Sequence, residues 1–363
     1  MRNLGRGVRR AGQVLLCAGA LSGGAALSHV TMEPVASARA SAPAFPPAMA
    51  ARDLEAPSII ERAVHSTVHA AVQPREIPRG SVVTEAPPIP HDPFAGHLRD
   101  GKVITGATPH RTMLFTFDDG PDQRNTPRLL DVLDEYGIKA VFFLTASRIS
   151  GNTPWQQENQ ALAREIVARG HFVGNHTVDH AQLPLLDDAQ VLAQVRGADE
   201  VFERVLGSRT WLMRPPGGAR SARVDGLLAE HGYTQMEWNL GTGDFQVREP
   251  DAVFRTWRRV LERRERENGD GGGIILLHDT HEWSVEAVPL MVSWMRERNC
   301  ALLERGEELY DIASDPAMFF AARGDASVSA EAPPAEIEAD VLARRQRHLR
   351  EETRQRCARL ASR

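Results

Sequence analysis

The sequence predicts an α/β fold with a mainly parallel sheet, of the barrel kind, on three observations. Short apolar runs bounded by turn residues alternate with longer amphipathic stretches, the pattern of βαβ units and not of a sandwich. Of the 21 Phe, Tyr and Trp residues, 19 lie between Phe115 and Phe320, so one domain spanning 108–323 carries the core and has the size of a single barrel. Each of the polar clusters described below closes one of the apolar runs, at the strand end where parallel barrels build their sites.

The elements follow in order. "RTMLFTF" (Arg111 to Phe117) is the first strand, and "NTPRLLDVLDEYG" the first helix, with Thr126 as its cap, Pro127 in the first turn and Gly137 at the stop. "AVFFL" (Ala140 to Leu144) is the second strand, and a helix from Trp155 to Arg169 stops at Gly170. "HFVGNH" runs from strand into loop; a long helix spans Asp187 to Leu206; "WLMR" is a strand. A helix near Ser221 to His231 precedes the strand "TQMEW", and a helix near Asp251 to Asn268 leads through a Gly-rich loop to the apolar strand "GIILLH" (Gly273 to His278).

Composition bounds the rest. With 42% hydrophobic and 25% charged residues in 363, the chain is globular and neither collagen-like, coiled-coil nor wholly disordered. A net charge of −5 without a basic block argues against nucleic acid or an anionic membrane as the main partner. Residues 1–28 begin with four arginines and run through a Gly-rich apolar stretch, as a secretory signal peptide does, which implies an exported protein, periplasmic or extracellular. No span would then remain in the mature chain, unless this segment is retained as an anchor. Residues 29–107 are rich in Pro, Ala and Ser and read as a largely disordered linker. Residues 324–363 lack aromatics and read as a charged helical tail, solvated or loosely docked, with Ile337, Val341, Leu349 and Leu360 near one face. Three cysteines, at 17, 300 and 357, allow at most one bridge, so packing must supply stability.

The chemistry lies in five clusters. "FTFDDGPD" puts Asp118 and Asp119 side by side at a strand end; neighbours on a strand face opposite ways, so the chain must turn there for both to serve one site. "HTVDH" spaces His176 and His180 at i, i+4, which in a helical turn would present both imidazoles to one metal. "RPPGG" sets Arg214 before two stiffening prolines and two glycines that let backbone amides approach a ligand. "GTGDF" contributes Asp244, and "IILLHD" ends an apolar strand in His278, which suits an acid or base.

Together these clusters resemble the five motifs of the polysaccharide deacetylase family of carbohydrate esterases, the NodB-homology domain, over roughly Arg111 to Tyr310. The resemblance implies a distorted (β/α) barrel with fewer strands than the regular eight. It implies a divalent metal, usually zinc, held by Asp119, His176 and His180. Asp118 would be the general base and His278 the general acid, with Arg214 orienting Asp118 and Asp244 orienting His278. The backbone N–H of Gly217 would meet the oxyanion, and Phe245 and Leu276 would lie beside the substrate, an acetylated polysaccharide or oligosaccharide. The chain departs from the family where Gly217 replaces an aromatic residue, Gly241 an aspartate and Phe245 a tryptophan, which bears on substrate preference more than on chemistry.

The residues make chemical sense as a set. An amide resists water unless a metal lowers the water's pKa, a base takes its proton, and the departing amine is protonated. The same set would serve an amidohydrolase acting on another C–N bond, and a non-catalytic glycan-binding domain is the third reading. There is no GxSxG nucleophile elbow, and "GDGGGI" lacks the Lys-Ser/Thr of a phosphate loop.

Overall fold

A computed structural model describes residues 94, 101–319 and 337–361. The N-terminal leader, most of the Pro-rich linker and Cys17 lie outside the described residues. The strands are β1 (Val103–Ile104), β2 (Thr112–Asp118), β3 (Val141–Leu144), β4 (Phe172–Asn175), β5 (Leu212–Met213), β6 (Thr234–Met236), β7 (Leu240–Gly241), β8 (Gly273–His278) and β9 (Asp311–Ile312). The α-helices are α1 (Thr126–Tyr136), α2 (Pro154–Ala168), α3 (Asp188–Leu206), α4 (Ala222–Glu230), α5 (Pro250–Asn268), α6 (Glu282–Glu304) and α7 (Ala339–Ala361).

All strand pairs are parallel, in the order β1-β6-β5-β4-β3-β2-β8-β7, with β9 paired to the start of β2. Among the described residues the end strands β1 and β7 are not bonded to each other, so the barrel is distorted and open, as expected. The strand count differs from expectation, because nine segments join the sheet. Four of them (β1, β5, β7 and β9) are only two residues long, and five longer strands make the wall.

Alternation along β2 shows how the wall is built. Met113, Phe115 and Phe117 face outward into the layer under the helices, whereas Leu114 joins Val141, Phe143, Leu212, Met236 and Ile274 inside. The amino-terminal end of this interior is closed by Ala313, Met318, Phe319 and Ile337. The fold therefore extends past the segment expected to hold the core, at both ends. β1 pairs with β6 ahead of residue 108, and α7 is docked. Gln346 bonds both the N–H and the carbonyl of Leu309 at 2.9 Å, Arg345 pairs with Asp311 at 2.6 Å, and Cys357 is disulfide-bonded to Cys300 on α6.

Helix boundaries follow local chemistry. α3 opens with a capping box, Asp187 accepting from the N–H of Gln190 at 2.8 Å while the Gln190 side chain accepts from the N–H of Asp187. Gly137 ends α1 in the left-handed conformation, as its position suggested. Thr126 does not cap that helix; Asn125 is the N-cap residue, and the Thr126 hydroxyl instead accepts from the N–H of Asp122 at 2.7 Å and donates to Asp279 at 2.5 Å. No described helix is long and apolar enough to cross a membrane.

Candidate functional site

The parallel sheet delivers the polar clusters to one place, the carboxyl end of the barrel. β2 ends at Asp118, whose side chain points inward, and Asp119 adopts φ 74°, a left-handed conformation that turns its carboxylate back toward the same site. Both carboxylates thus reach one cavity although they are adjacent in sequence. After β4 the HTVDH segment forms a turn, not the helical turn expected. Thr177 and His180 have φ values of 70° and 64°, and this backbone brings the imidazoles to 5.1 Å between ring centres.

His176 and His180 converge on Asp119. His176 Nε2 lies 3.4 Å and His180 Nε2 3.3 Å from Asp119 Oδ1, and one ligand atom from each of the three residues falls within 4.8 Å of the others. His176 Nδ1 sits 2.8 Å from the carbonyl oxygen of Arg214, so Nδ1–H donates there and Nε2 is left facing the carboxylate. Asp119 Oδ1 is buried with no hydrogen-bond partner among the described residues. A buried oxygen left in that state lacks a cation or donor. Around an ion with bonds of about 2.0–2.1 Å, tetrahedral edges would run about 3.3–3.4 Å, which these separations match. The donor set therefore fits a divalent metal. Burial raises the pKa of Asp119, but the nearby His176, His278 and His180 outweigh it and hold the carboxyl well below the usual range.

Arg214 is fully buried and braces the other carboxylate. Its Nη1 donates to Asp118 Oδ1 and to Thr116 Oγ1, each at 2.7 Å; Nε donates to the carbonyl of Met236 at 2.7 Å and Nη2 to that of Glu237 at 3.2 Å. Asp118 Oδ2 is left facing His176 Nε2 at 3.9 Å. Opposite, His278 Nδ1 donates to Asp244 Oδ1 at 2.9 Å, while Asp244 Oδ2 accepts from the N–H of His278 and from Ser284 Oγ. Burial alone would depress the pKa of His278; the hydrogen bond and charge of Asp244, with Asp118 and Asp119 adding, push it up to about 9. His278 Nε2 points back to Asp119 Oδ2, 4.0 Å away.

The profile of the polysaccharide deacetylase family matches residues 105–236, a span holding Asp118, Asp119, His176, His180, Arg214 and Gly217. The peptidoglycan-N-acetylglucosamine deacetylase of Bacillus cereus is 30% identical over 169 residues, covering 47% of this chain and 73% of that protein. The chain belongs to the polysaccharide deacetylase family. Chitin deacetylase of Colletotrichum lindemuthianum is 29% identical over 216 residues, 58% of this chain and 84% of the relative. Chitin deacetylase of Arthroderma benhamiae is 30% identical over 224 residues, 60% of this chain but only 57% of the relative.

The residues expected around a deacetylase substrate are less uniform in placement. Gly217 has φ 63°, and a side chain built there would meet only Gln182 Nε2, at 3.4 Å. Phe245 is exposed, its ring 6.4 Å from that of His278, whereas Leu276 is buried in β8. Thr116, Ser284 and Trp283, which donates to the Asp244 carbonyl at 2.6 Å, were not anticipated. Thr116 was within reach, since it precedes Asp118 by two and shares its face of the strand. Ser284 and Trp283 lie on α6, which the sequence pattern did not reveal.

Proposed function

We propose that this protein is a metal-dependent hydrolase that removes acetyl groups from an N-acetylated or O-acetylated glycan. One observation carries the reading: an Arg-braced carboxylate, an Asp-His-His cluster and an Asp-braced histidine face one another at one end of the barrel. A divalent ion in that cluster, zinc by its N/O donors, would supply the Lewis acidity that makes water nucleophilic near neutral pH.

The chain's own residues do the rest. Asp118, with Oδ1 committed to Arg214, takes the proton of the attacking water at Oδ2. The N–H of Gly217, at the turn after Arg214, stabilises the developing oxyanion. His278 carries a proton on Nε2 at neutral pH, consistent with its raised pKa, and gives it to the departing nitrogen or oxygen as the acyl bond breaks. Asp244 fixes the ring so that Nε2 faces the reacting bond. The products are acetate and the free amine or hydroxyl of the sugar. The leader-like N-terminus and the Cys300–Cys357 bridge together support action outside the cytoplasm, on an envelope or extracellular polymer.

The test is mass spectrometry of N-acetylglucosamine oligomers and acetylated xylan fragments incubated with the protein, with zinc and with a chelator. Metal-dependent loss of acetyl mass is expected, and Asp118→Asn should abolish it while leaving glycan binding. Absence of loss on every acetylated sugar, with metal demonstrably bound, would remove the proposal in favour of another C–N bond or a binding role.

A further inference from the structure

We propose that Asp199, on α3, is a positioning residue for the histidine pair: acting through Asn175, it holds the backbone turn from which His176 and His180 reach Asp119. The proposal rests on the metal-ligand roles given to these residues in the reading above.

The turn needs something to hold it. Thr177 and His180 adopt φ values of 70° and 64°, and neither is a glycine. Such backbone persists where its surroundings over-determine it. The hydrogen bonds that do so begin at Asn175, the last residue of β4, which is fully buried. Its Oδ1 accepts from the N–H of Thr177 at 2.7 Å, and Thr177 Oγ1 accepts in turn from the N–H of His180 at 3.1 Å. One amide therefore fixes the first left-handed residue directly and the second through a single link. His176 lies between Asn175 and Thr177, inside the segment that this bond closes.

An amide can do this in only one of its two orientations. Rotated by half a turn, Asn175 would set its NH2 against the N–H of Thr177, donor against donor. Two acceptors select the working orientation, the carbonyl of Val195 and Asp199 Oδ1, each 2.9 Å from Asn175 Nδ2. Asp199 Oδ2 accepts from the Tyr233 hydroxyl at 2.5 Å, so both hydrogen-bond partners of this buried carboxylate are neutral. Burial pushes its carboxyl up to about 6, which is the cost of placing an acceptor at this depth. Docking of the helix does not require it. Val191 and Val195 of α3 already pack with Met213, Val224 and Leu228 in an apolar cluster. What the carboxylate adds is direction for the Asn175 amide, and through it for the turn.

The experiment measures zinc affinity by calorimetry on the full chain, at about pH 8 and at a temperature where each protein is folded. It compares the parent with Asp199→Ala, Asp199→Asn and Phe319→Ala. Asp199→Ala should weaken zinc binding about tenfold and shift the visible spectrum of the cobalt-loaded protein. Asp199→Asn, whose Oδ1 can still accept from Asn175, should recover most of the affinity. Phe319→Ala, which opens a cavity at the other end of the barrel, should leave affinity and spectrum at the parent values. Affinity and spectrum unmoved in Asp199→Ala, or an equal loss in Phe319→Ala, overturns the proposal. If Asp199→Ala does not fold, Tyr233→Phe decides, since it removes one bond to the carboxylate: a shifted cobalt spectrum supports the proposal and the parent spectrum overturns it. Zinc binding is read without substrate, so the two readings fail separately. A parent chain that binds zinc but deacetylates no sugar loses the deacetylase reading, while the same affinities still decide the role of Asp199; a parent chain that binds no zinc ends both.

Discussion

The two ends of the barrel are made on different principles. At the carboxyl end stand the described residues other than glycine with positive φ, Asp119, Thr177 and His180, together with the partnerless Asp119 Oδ1. At the amino-terminal end Ala313, Met318, Phe319 and Ile337 close the interior with apolar contacts, and α7 is fastened beside them. Strained backbone and unpaired polar atoms cost stability and persist only where the surroundings enforce them. The concentration of the strained residues at one end separates the site from the apolar contacts that close the other. Two histidines, one half-buried and one buried, make the same point. His278 is pushed up to about 9 by its carboxylate partner, whereas burial, with Lys139 adding, pushes His171 at the other end down to about 4.

The largest effect expected at the site end is on metal binding. Asp119→Gly should weaken zinc affinity by at least about 100-fold in calorimetry, since it removes one of the three proposed ligands. Glycine accepts φ 74° without strain, so the metal-free melting temperature should not drop; a large drop would break the separation of the two ends. Phe319→Ala should do the converse, costing about 4 kcal/mol in denaturant unfolding by opening a cavity in the closed end, with kcat near the parent value at a temperature where the variant is folded. Next, Cys300→Ser with Cys357→Ser should cost about 4 kcal/mol, because the bridge closes a loop with a sequence separation of 57; unchanged stability would show that α7 is held by its other contacts.

The smallest effect is pH-dependent. His171 Nδ1 accepts from the N–H of Ala140 at 3.3 Å and Nε2 has no partner among the described residues, so the ring is held neutral. Its folded pKa lies below the ordinary imidazole value of about 6.5, so the stability it contributes is present above 6.5 and lost as pH falls toward 4. Unfolding titrations should show about 2 kcal/mol less stability at pH 5 than at pH 7 from this group. His171→Gln should flatten that slope, and an unchanged slope would assign it elsewhere.

Much of this was legible because strong periodicity and site chemistry coincide in the chain. β8 runs from Gly273 to His278 as the apolar run foretold, and the five clusters meet where strand direction places them. The helix α6 escaped notice because it is buried on several sides and carries Pro289 within it, so no clean apolar stripe marks it. The docking of α7 escaped for the opposite reason. Its anchors are Gln346, Arg345 and a cysteine spaced among charges, and such pairings depend on distant partners that no local pattern reveals. The backbone of the HTVDH turn was likewise invisible, since i, i+4 spacing alone does not distinguish a helical turn from two left-handed residues.

Arg214 gives the site an uneven tolerance to change. One guanidinium grips β2 through Thr116 and Asp118 and the end of β6 through two carbonyls, while its own carbonyl fixes the His176 ring. Lysine, with a single compact head, cannot reproduce that span, so Asp118 and His176, the proposed base and metal ligand, would lose their alignment together. Gly217 and Phe245 bear no such duty. A lineage could therefore change the residues around this site step by step, provided it left the one arginine alone.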